Sequence, residues 1–240
     1  TLKMCIMFIF FTKIGLFFIF KLIVMSTSKI TVILLFLVAT VFGQQKITIE
    51  NIYGGAFRAK GMAELQSLKN TDQYTVLDVD QASRSMQIGL YDFGTLKKVS
   101  NLIDTKDHKE LANGIDSYTF DASEKKILIA SNTNQIFRHS FTADFYLYDI
   151  ASKTLTKLFD QVQEPTFSPD GTKIAYAKEN NLYVYDVNSK KSTPITTDGK
   201  KNAVINGITD WVYEEEFAFV RAFDWSKDSK KVAYIRFDES

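Results

Sequence analysis

Three consecutive glutamates are the residues whose type and spacing most directly suggest chemistry. Glu214, Glu215 and Glu216 stand in residues 206–217, where Asp210 could cap a short helix. Acids in a first helical turn can simply face water and favour the helix dipole. Alternatively, crowding by neighbouring aromatic residues turns two of the carboxylates into a small anionic pocket for an ammonium group. These aromatic residues are Trp211, Tyr213 and Phe217.

The chain that must position these glutamates consists mainly of short strands. From Gln44 onward, short apolar runs alternate with turn residues, and nearly every run has the period of two that is typical of a half-buried strand. Long stretches of helical periodicity are absent. The sequence therefore predicts an all-β fold with one short helical insertion near residues 208–219.

Two kinds of repeat organise these strands. The first places an aromatic residue, a tight turn and a strand in a row, and its copies lie at residues 118–130, 165–176 and 222–234. In the second copy, Ser168-Pro-Asp-Gly171 predicts the turn, because proline fixes φ at the first turn position and glycine accepts a positive φ. Two antiparallel strands can therefore meet there in a tight hairpin.

The second repeat is a hairpin with a Tyr-Asp pair, at residues 90–98, 147–155 and 184–192. The first two copies of the first repeat are 47 residues apart, and the last two hairpins are 37 apart. These spacings bracket the ~40–50 residues of a four-stranded propeller blade. We therefore predict a partial β-propeller of about four blades in residues 46–240. Because a propeller is stabilised by closing its ring, we expect this chain to be a fragment.

The overall composition excludes several kinds of partner. The 240 residues carry 29 basic and 28 acidic side chains, and a net charge of +1 gives no basic field for nucleic acid. Cys5 is the single cysteine, so no internal disulfide can form. With only His108 and His139, we expect no metal site and no cofactor.

Residues 1–43 predict a targeting region, because they are mostly apolar and contain four lysines but no acid. From Met25, a short polar stretch, an apolar run of 13 residues and Gly43 follow the layout of a secretory signal peptide. That run is shorter than the ~20 residues that cross a bilayer. We therefore predict an apolar leader in residues 1–24 and a signal peptide in residues 25–43, with the hypothesis that residues 1–24 are not part of the native protein.

Removal of the predicted leader and signal peptide leaves a chain with a net charge of about −3. This charge suits a soluble secreted or periplasmic protein without affinity for anionic membranes. The alternative is an uncleaved N-terminal segment that anchors the protein to a membrane.

Three segments carry a resemblance to one family. Asn206-Gly-Ile-Thr-Asp-Trp-Val-Tyr-Glu-Glu-Glu216 resembles the signature of the dipeptidyl peptidase IV group in the prolyl oligopeptidase family of serine peptidases. Residues 135–149, with Arg138-His-Ser and the Tyr-Asp hairpin, are similar to the family segment that holds an arginine. Residues 47–53 resemble the start of the bacterial propeller. The similarity covers most of residues 46–240.

The resemblance implies roles for individual residues. Glu215 and Glu216 match the pair that binds the free N-terminal ammonium of a peptide substrate. Arg138 matches the arginine that contacts the carbonyl region of the first dipeptide. Glu214 is left with a structural or peripheral role, and His139 is interpreted as a packing or hydrogen-bonding residue of the propeller.

The resemblance also implies an eight-bladed ring, an α/β-hydrolase domain and a secreted enzyme that releases Xaa-Pro or Xaa-Ala dipeptides, with homodimers among its relatives. Residues 44–240 then form the N-terminal part of the propeller domain. This chain has no Gly-x-Ser-x-Gly elbow and no histidine after His139. We therefore expect the catalytic domain and every catalytic residue to be absent from this chain, which alone should be inactive.

A second hypothesis is a non-catalytic β-propeller that binds peptide termini or a protein partner. The repeats fit either hypothesis, because such turns also occur in propellers that are not enzymes. The Glu215–Glu216 pair together with Arg138 favours the peptidase. A plain scaffold has no need for both an ammonium clamp and a carbonyl contact.

Overall fold

The computed structural model describes residues 46–59 and 65–240, which belong to two compact units. The predicted leader (residues 1–24) and signal peptide (residues 25–43) lie outside the described residues. Within the described ranges, no helix is long and apolar enough to cross a membrane.

The described part of the first unit contains one short helix, α1 (Ile49–Tyr53). Thr48 caps it, because the threonine hydroxyl accepts a hydrogen bond from the Asn51 N–H at 3.1 Å. This bond satisfies one of the backbone N–H groups that the first turn of a helix leaves without a partner. No residue of α1 is buried.

The second unit is built almost entirely from antiparallel strands, which confirms the predicted all-β class. Within residues 65–240, the one α-helix is α2 (Trp211–Phe217), which lies in the predicted insertion. Two short 3-10 turns, Thr105–Asp107 and Lys109–Leu111, follow the fourth strand. The strands are β1 (Leu65–Ser67), β2 (Gln73–Asp80), β3 (Ser85–Asp92), β4 (Lys98–Asp104), β5 (Ser117–Phe120), β6 (Lys126–Gln135), β7 (Phe141–Asp149), β8 (Thr154–Phe167), β9 (Lys173–Lys178), β10 (Asn181–Asp186), β11 (Lys191–Pro194), β12 (Val204–Asn206), β13 (Phe223–Trp225), β14 (Val232–Tyr234) and β15 (Arg236–Asp238).

Most of the strands form meanders in which chain neighbours pair. One sheet has the order β1-β2-β3-β4, and a larger one runs β5-β6-β7-β8-β9-β10-β11. The long strand β8 belongs to two meanders, because its first half pairs with β7 and its second half with β9. Small two-stranded sheets, β12-β15 and β13-β14, complete the unit.

Strand β6 shows how the sheets are held together. Ile127 and Ile129 point to one side and pack in a cluster with Ile88 of β3. Leu128 points to the other side and packs in a second cluster with Tyr176 of β9. Because successive side chains of a strand face opposite sides, both faces of this meander are buried, one against the β1–β4 sheet and the other against later strands of the same large sheet. Full burial of each such side chain contributes about 1.5–3 kcal/mol.

The first sequence repeat forms strand–turn–strand pairs, as predicted. Its three copies are β5–β6, β8–β9 and β13–β14. In the second copy, the Gly171 N–H donates to the Ser168 carbonyl at 2.8 Å, and φ of Gly171 is +69°. Glu124 and Ser229 occupy the same place in the other copies, with φ of +56° and +59°. The turn therefore imposes a left-handed residue even where the sequence offers no glycine.

These turns also contact one another. The Glu124 carboxylate accepts hydrogen bonds from the backbone N–H groups of Lys69 and Asn70, in the turn between β1 and β2. The Asp170 N–H donates to the Ser229 hydroxyl at 3.0 Å. Polar contacts between turns thus supplement the apolar contacts between sheets.

The Tyr-Asp repeat forms the predicted hairpins β3–β4, β7–β8 and β10–β11. In each, the aspartate at the end of the first strand accepts a hydrogen bond from the backbone N–H three residues later, at 2.7–2.8 Å. The aspartates are Asp92, Asp149 and Asp186. This local bond explains the repeated Asp, because a short carboxylate can close a turn on its own backbone.

Gly171→Val should destabilise the protein without altering any residue of the candidate site. We expect the free energy of unfolding to fall by ~1–3 kcal/mol, because a β-branched residue resists a positive φ. A Cβ at this position would also lie 3.1 Å from Asp121 Oδ2. Urea denaturation measures the change.

Gly94→Val is the matched control, because Gly94 lies in a hairpin turn without a positive φ. The nearest atom to an added Cβ there is 3.5 Å away. Equal losses of stability in the two variants would contradict the assignment of strain to Gly171.

Candidate functional site

The helix that carries the three glutamates is fixed at both ends. Asp210 caps its N-terminus, as predicted, by accepting a hydrogen bond from the Tyr213 N–H at 2.8 Å. Ala218 ends it in the left-handed conformation, with φ of +51°, and donates its N–H to the Glu214 carbonyl at 2.9 Å. Helix α2 has only seven residues, so these end contacts matter more than helix propensity.

The loop that presents α2 is closed at its base. The Thr209 N–H donates to the Val220 carbonyl at 3.0 Å, and the Thr209 hydroxyl donates to the Phe219 carbonyl at 2.6 Å. Just before them, Gly207 has φ of +77°, and a Cβ there would lie 2.9 Å from Leu182 Cδ1. The glycine of the sequence signature therefore permits both the turn and a close approach to the core.

Arg138 lies on the loop between β6 and β7, residues 136–140. The loop is a tight turn, because the Ile136 N–H donates to the Ser140 carbonyl at 2.9 Å. The Gln135 side chain donates to the Phe137 carbonyl at 2.6 Å and adds a second closure. The end of a long hairpin thus carries the arginine.

The structure brings two of the three predicted site residues into contact. Arg138 Nη2 lies 2.7 Å from Glu215 Oε1. The arginine side chain is 66% exposed and the glutamate side chain 25% exposed. Glu216 follows on α2 and is exposed, and its carboxylate has no hydrogen bond or ion pair within residues 46–59 and 65–240. Two carboxylates and one guanidinium therefore stand at the end of α2.

Glu214 has a different environment, since it is the buried residue of α2, 2% exposed. Its Oε1 accepts hydrogen bonds from the backbone N–H groups of His139 at 2.7 Å and Ser140 at 2.9 Å. Burial raises the pKa of Glu214, but the hydrogen bonds that it accepts from residues 139 and 140 outweigh burial and leave the pKa below its ordinary value. Glu214 is therefore held as a carboxylate.

One expectation about this site holds in part, and another is corrected. His139 does not pack in a core, because its side chain is exposed, but its backbone N–H donates a hydrogen bond to Glu214. The aromatic residues of α2 do not enclose the carboxylates either: Trp211, Tyr213 and Phe217 are 54%, 42% and 69% exposed. A helix of two turns has one side against the protein, and Glu214 occupies it.

One cavity of the second unit lies beside this site. Its volume is about 610 Å³, and its lining includes Phe137, Ser140 and Trp211 but not Arg138, Glu215 or Glu216. Another cavity, about 410 Å³, is lined by Phe141, Glu164 and other residues. Because the Arg138 side chain is 66% exposed and Glu216 is exposed, the candidate site lies at the surface.

No metal site was found among the described residues, where His, Cys, Asp and Glu form no group of three or more that could hold an ion. The end of α2 offers charged side chains, two carboxylates and a guanidinium. Such groups bind charged and polar ligands by charge-assisted hydrogen bonds.

The bond from Glu214 to the Arg138 loop could not be predicted from the sequence. A weak signal existed, because consecutive residues of a helix point about 100° apart and three adjacent glutamates cannot share one face. At least one of them had to face another direction. Which backbone would meet it, 74 and 75 residues away along the chain, depends on the tertiary fold.

Comparison with known proteins identifies the family of the chain. The model of the dipeptidyl peptidase IV N-terminal region matches residues 121–240. A probable dipeptidyl-aminopeptidase B of Talaromyces marneffei is 39% identical over 122 residues, which cover 48% of this chain and 14% of that protein. Another, of Phaeosphaeria nodorum, is 30% identical over 220 residues, which cover 82% of this chain and 23% of that protein.

A solved structure supports the same relation at the level of the fold. The crystal structure of Porphyromonas gingivalis dipeptidyl peptidase 4 superimposes with a TM-score of 0.74 and 32% sequence identity. The match covers 82% of this chain and 28% of that one. The chain thus spans less than a third of the length of these relatives, and it belongs to the family of dipeptidyl peptidase IV N-terminal regions.

Proposed function

We propose that this chain is the substrate-anchoring N-terminal part of a secreted serine exopeptidase that releases Xaa-Pro or Xaa-Ala dipeptides. The observation that carries the proposal is the contact of Arg138 with Glu215, at 2.7 Å, beside the exposed carboxylate of Glu216. The names of the relatives, dipeptidyl peptidase and dipeptidyl-aminopeptidase, supply the class of reaction.

The carboxylates suit the free amino group of a peptide. That group has a pKa of about 8, so it is mostly an ammonium at neutral pH and offers three N–H donors. Glu215 and Glu216 supply acceptors on neighbouring residues, and each charge-assisted bond contributes about 1.5–3 kcal/mol. An internal peptide bond has no such charge, so the site selects chain ends.

Arg138 can bind the carbonyl group that follows the ammonium group in the same peptide. Its guanidinium has donors to spare after one bond to Glu215, and a peptide carbonyl is an acceptor for them. Because the Arg138 side of the ion pair is largely exposed, opening the pair costs little, typically below about 1 kcal/mol. The arginine can therefore exchange a contact with Glu215 for a contact with the ligand.

Together these contacts set the distance between the N-terminus of the peptide and the bond that is cleaved. If the ammonium and the first carbonyl are fixed, only one peptide bond can reach a nucleophile held at a set distance. This geometry explains how an anchor without a nucleophile can specify the release of a dipeptide. In this proposal the nucleophile belongs to an α/β-hydrolase domain of the complete protein, the described sheets form blades of an eight-bladed ring, and the protein is exported through its signal peptide.

The second candidate is a non-catalytic β-propeller that binds peptide termini or a protein partner. The open position of Arg138, Glu215 and Glu216 favours it, because a binding surface needs no enclosed pocket. The two candidates differ in the size of the natural protein and in its activity.

An immunoblot of the producing cells, with an antibody to residues 46–240, should show a band several times larger than this chain of 27.4 kDa. The expected size reflects the relatives, of which the chain spans 14–23%. A band no larger than this chain would favour the non-catalytic module.

Glu215→Ala and Glu216→Ala should each lower kcat/KM of the complete protein on a Gly-Pro chromogenic substrate at least tenfold. Each variant loses a charge-assisted bond to the ammonium, about 1.5–3 kcal/mol. Glu110→Ala, which removes an exposed carboxylate from a 3-10 turn, is the control and should keep wild-type activity. Wild-type kcat/KM in both site variants would refute the assignment.

Arg138→Ala should separate activity from stability. The free energy of unfolding should change by less than about 1 kcal/mol, because the Arg138–Glu215 pair is exposed. The kcat/KM value should fall roughly tenfold with loss of the carbonyl contact, about 1.5 kcal/mol or more. Arg138→Lys keeps the charge but not the planar fork and should recover part of the activity at most. Full activity in Arg138→Ala would remove this arginine from the site.

A further inference from the structure

Glu214 is unusual because it is a buried carboxylate on a short and otherwise exposed helix. It is 2% exposed, whereas Glu216 and the aromatic residues of α2 face solvent. Burial of a charge is costly unless hydrogen bonds compensate it. The bonds from the His139 and Ser140 N–H groups, at 2.7 and 2.9 Å, provide this compensation.

The position of these bonds links the two halves of the candidate site. Glu214 precedes Glu215 on α2, and His139 follows Arg138 on the loop between β6 and β7. The buried pair of backbone bonds is thus adjacent, on both segments, to the exposed ion pair of Arg138 and Glu215. Because the Glu214 bonds hold the loop against α2, they keep Arg138 close to Glu215.

The exposed ion pair cannot hold the two segments together by itself. Arg138 is 66% exposed, and exposed pairs contribute about 1 kcal/mol or less because water and salt screen them. A buried carboxylate that accepts two backbone bonds is far less screened. In addition, the ion pair must open when Arg138 turns to a ligand, whereas the Glu214 bonds need not.

We propose that Glu214 is a positioning residue, whose carboxylate fixes the Arg138 loop against α2 and so sets the distance between the guanidinium and the ammonium-binding carboxylates. This inference rests on the proposed function, since it concerns the same anchor. Glu214 itself touches no ligand. It acts through the backbone of residues 139 and 140.

The first test is the activity of Glu214→Ala and Glu214→Gln in the complete protein, with a Gly-Pro chromogenic substrate. Glu214→Ala should lower kcat/KM roughly 10- to 100-fold, chiefly through KM, because a misplaced anchor loses its geometry. Glu214→Gln keeps a carbonyl oxygen for the two N–H groups and should stay within roughly threefold of wild type. Equal losses in both variants would overturn the proposal.

A second readout separates positioning from stability. The inhibition constants of the dipeptide Gly-Pro and its desamino analogue, acetyl-proline, should differ in the wild type, because only Gly-Pro carries the ammonium. In Glu214→Ala, the ratio of the two inhibition constants should fall at least tenfold, as expected when one charge-assisted bond is lost. Retention of the full preference, even with a lower melting temperature, would show that Glu214 only stabilises the fold.

Asp121→Ala is the matched control. Asp121 is also a buried carboxylate, 5% exposed, and its Oδ1 also accepts two backbone hydrogen bonds, from Lys125 and Lys126 at 2.9 and 2.8 Å. It lies in the turn between β5 and β6, so its loss should lower stability and leave the Gly-Pro preference unchanged. An equal loss of preference in Asp121→Ala would make the effect of Glu214→Ala nonspecific and overturn the proposal.

Glu215→Ala distinguishes failure of this inference from failure of the proposed function. If Glu215→Ala keeps the preference for Gly-Pro over acetyl-proline, the carboxylates do not bind the ammonium and the proposed function fails. If Glu215→Ala loses the preference and Glu214→Ala keeps it, the proposed function stands and only the positioning role is wrong.

Discussion

Burial of both faces of the strands is the constraint on which the rest of the structure depends. Strand β6 sends Ile129 into a cluster with the β1–β4 sheet and Leu128 into a cluster with strand β9, so the meander of β6 is covered on both faces. A sheet enclosed in this way has no free face for a ligand. Polar chemistry is therefore restricted to the loops at strand ends and to insertions between strands, and the candidate site uses one of each.

Loops at strand ends need their own supports, because the apolar core does not reach them. The Arg138 loop is closed by its own backbone, and α2 is held by Asp210, Ala218 and the base around Thr209. These contacts fix each segment separately. Among the hydrogen bonds and ion pairs of the described residues, the bonds of Glu214 and the ion pair of Glu215 connect the two segments, so the accuracy of the site depends on a few polar contacts at its centre.

Much of the fold could be predicted from local patterns. The tight turn at Ser168–Gly171 and the aspartate hairpins follow from short-range bonds, so their sequence repeats identified them correctly. The cap at Asp210 is equally local. By contrast, the role of Glu214 depends on a partner 75 residues away, and the exposure of Trp211 depends on which side of α2 meets the protein. No local pattern contains that information.

The Glu214 carboxylate binds the loop through backbone N–H groups and not through side chains. Every residue except proline offers the same N–H, so the anchor does not depend on the exposed side chain of residue 139, whereas Ser140 is buried. Substitutions in the loop can therefore alter the shape and charge of the surface around Arg138 while its backbone stays in place. The backbone attaches the loop to α2, whereas exposed side chains of the loop face the ligand. Ligand preference can therefore be engineered by exchanging these side chains alone.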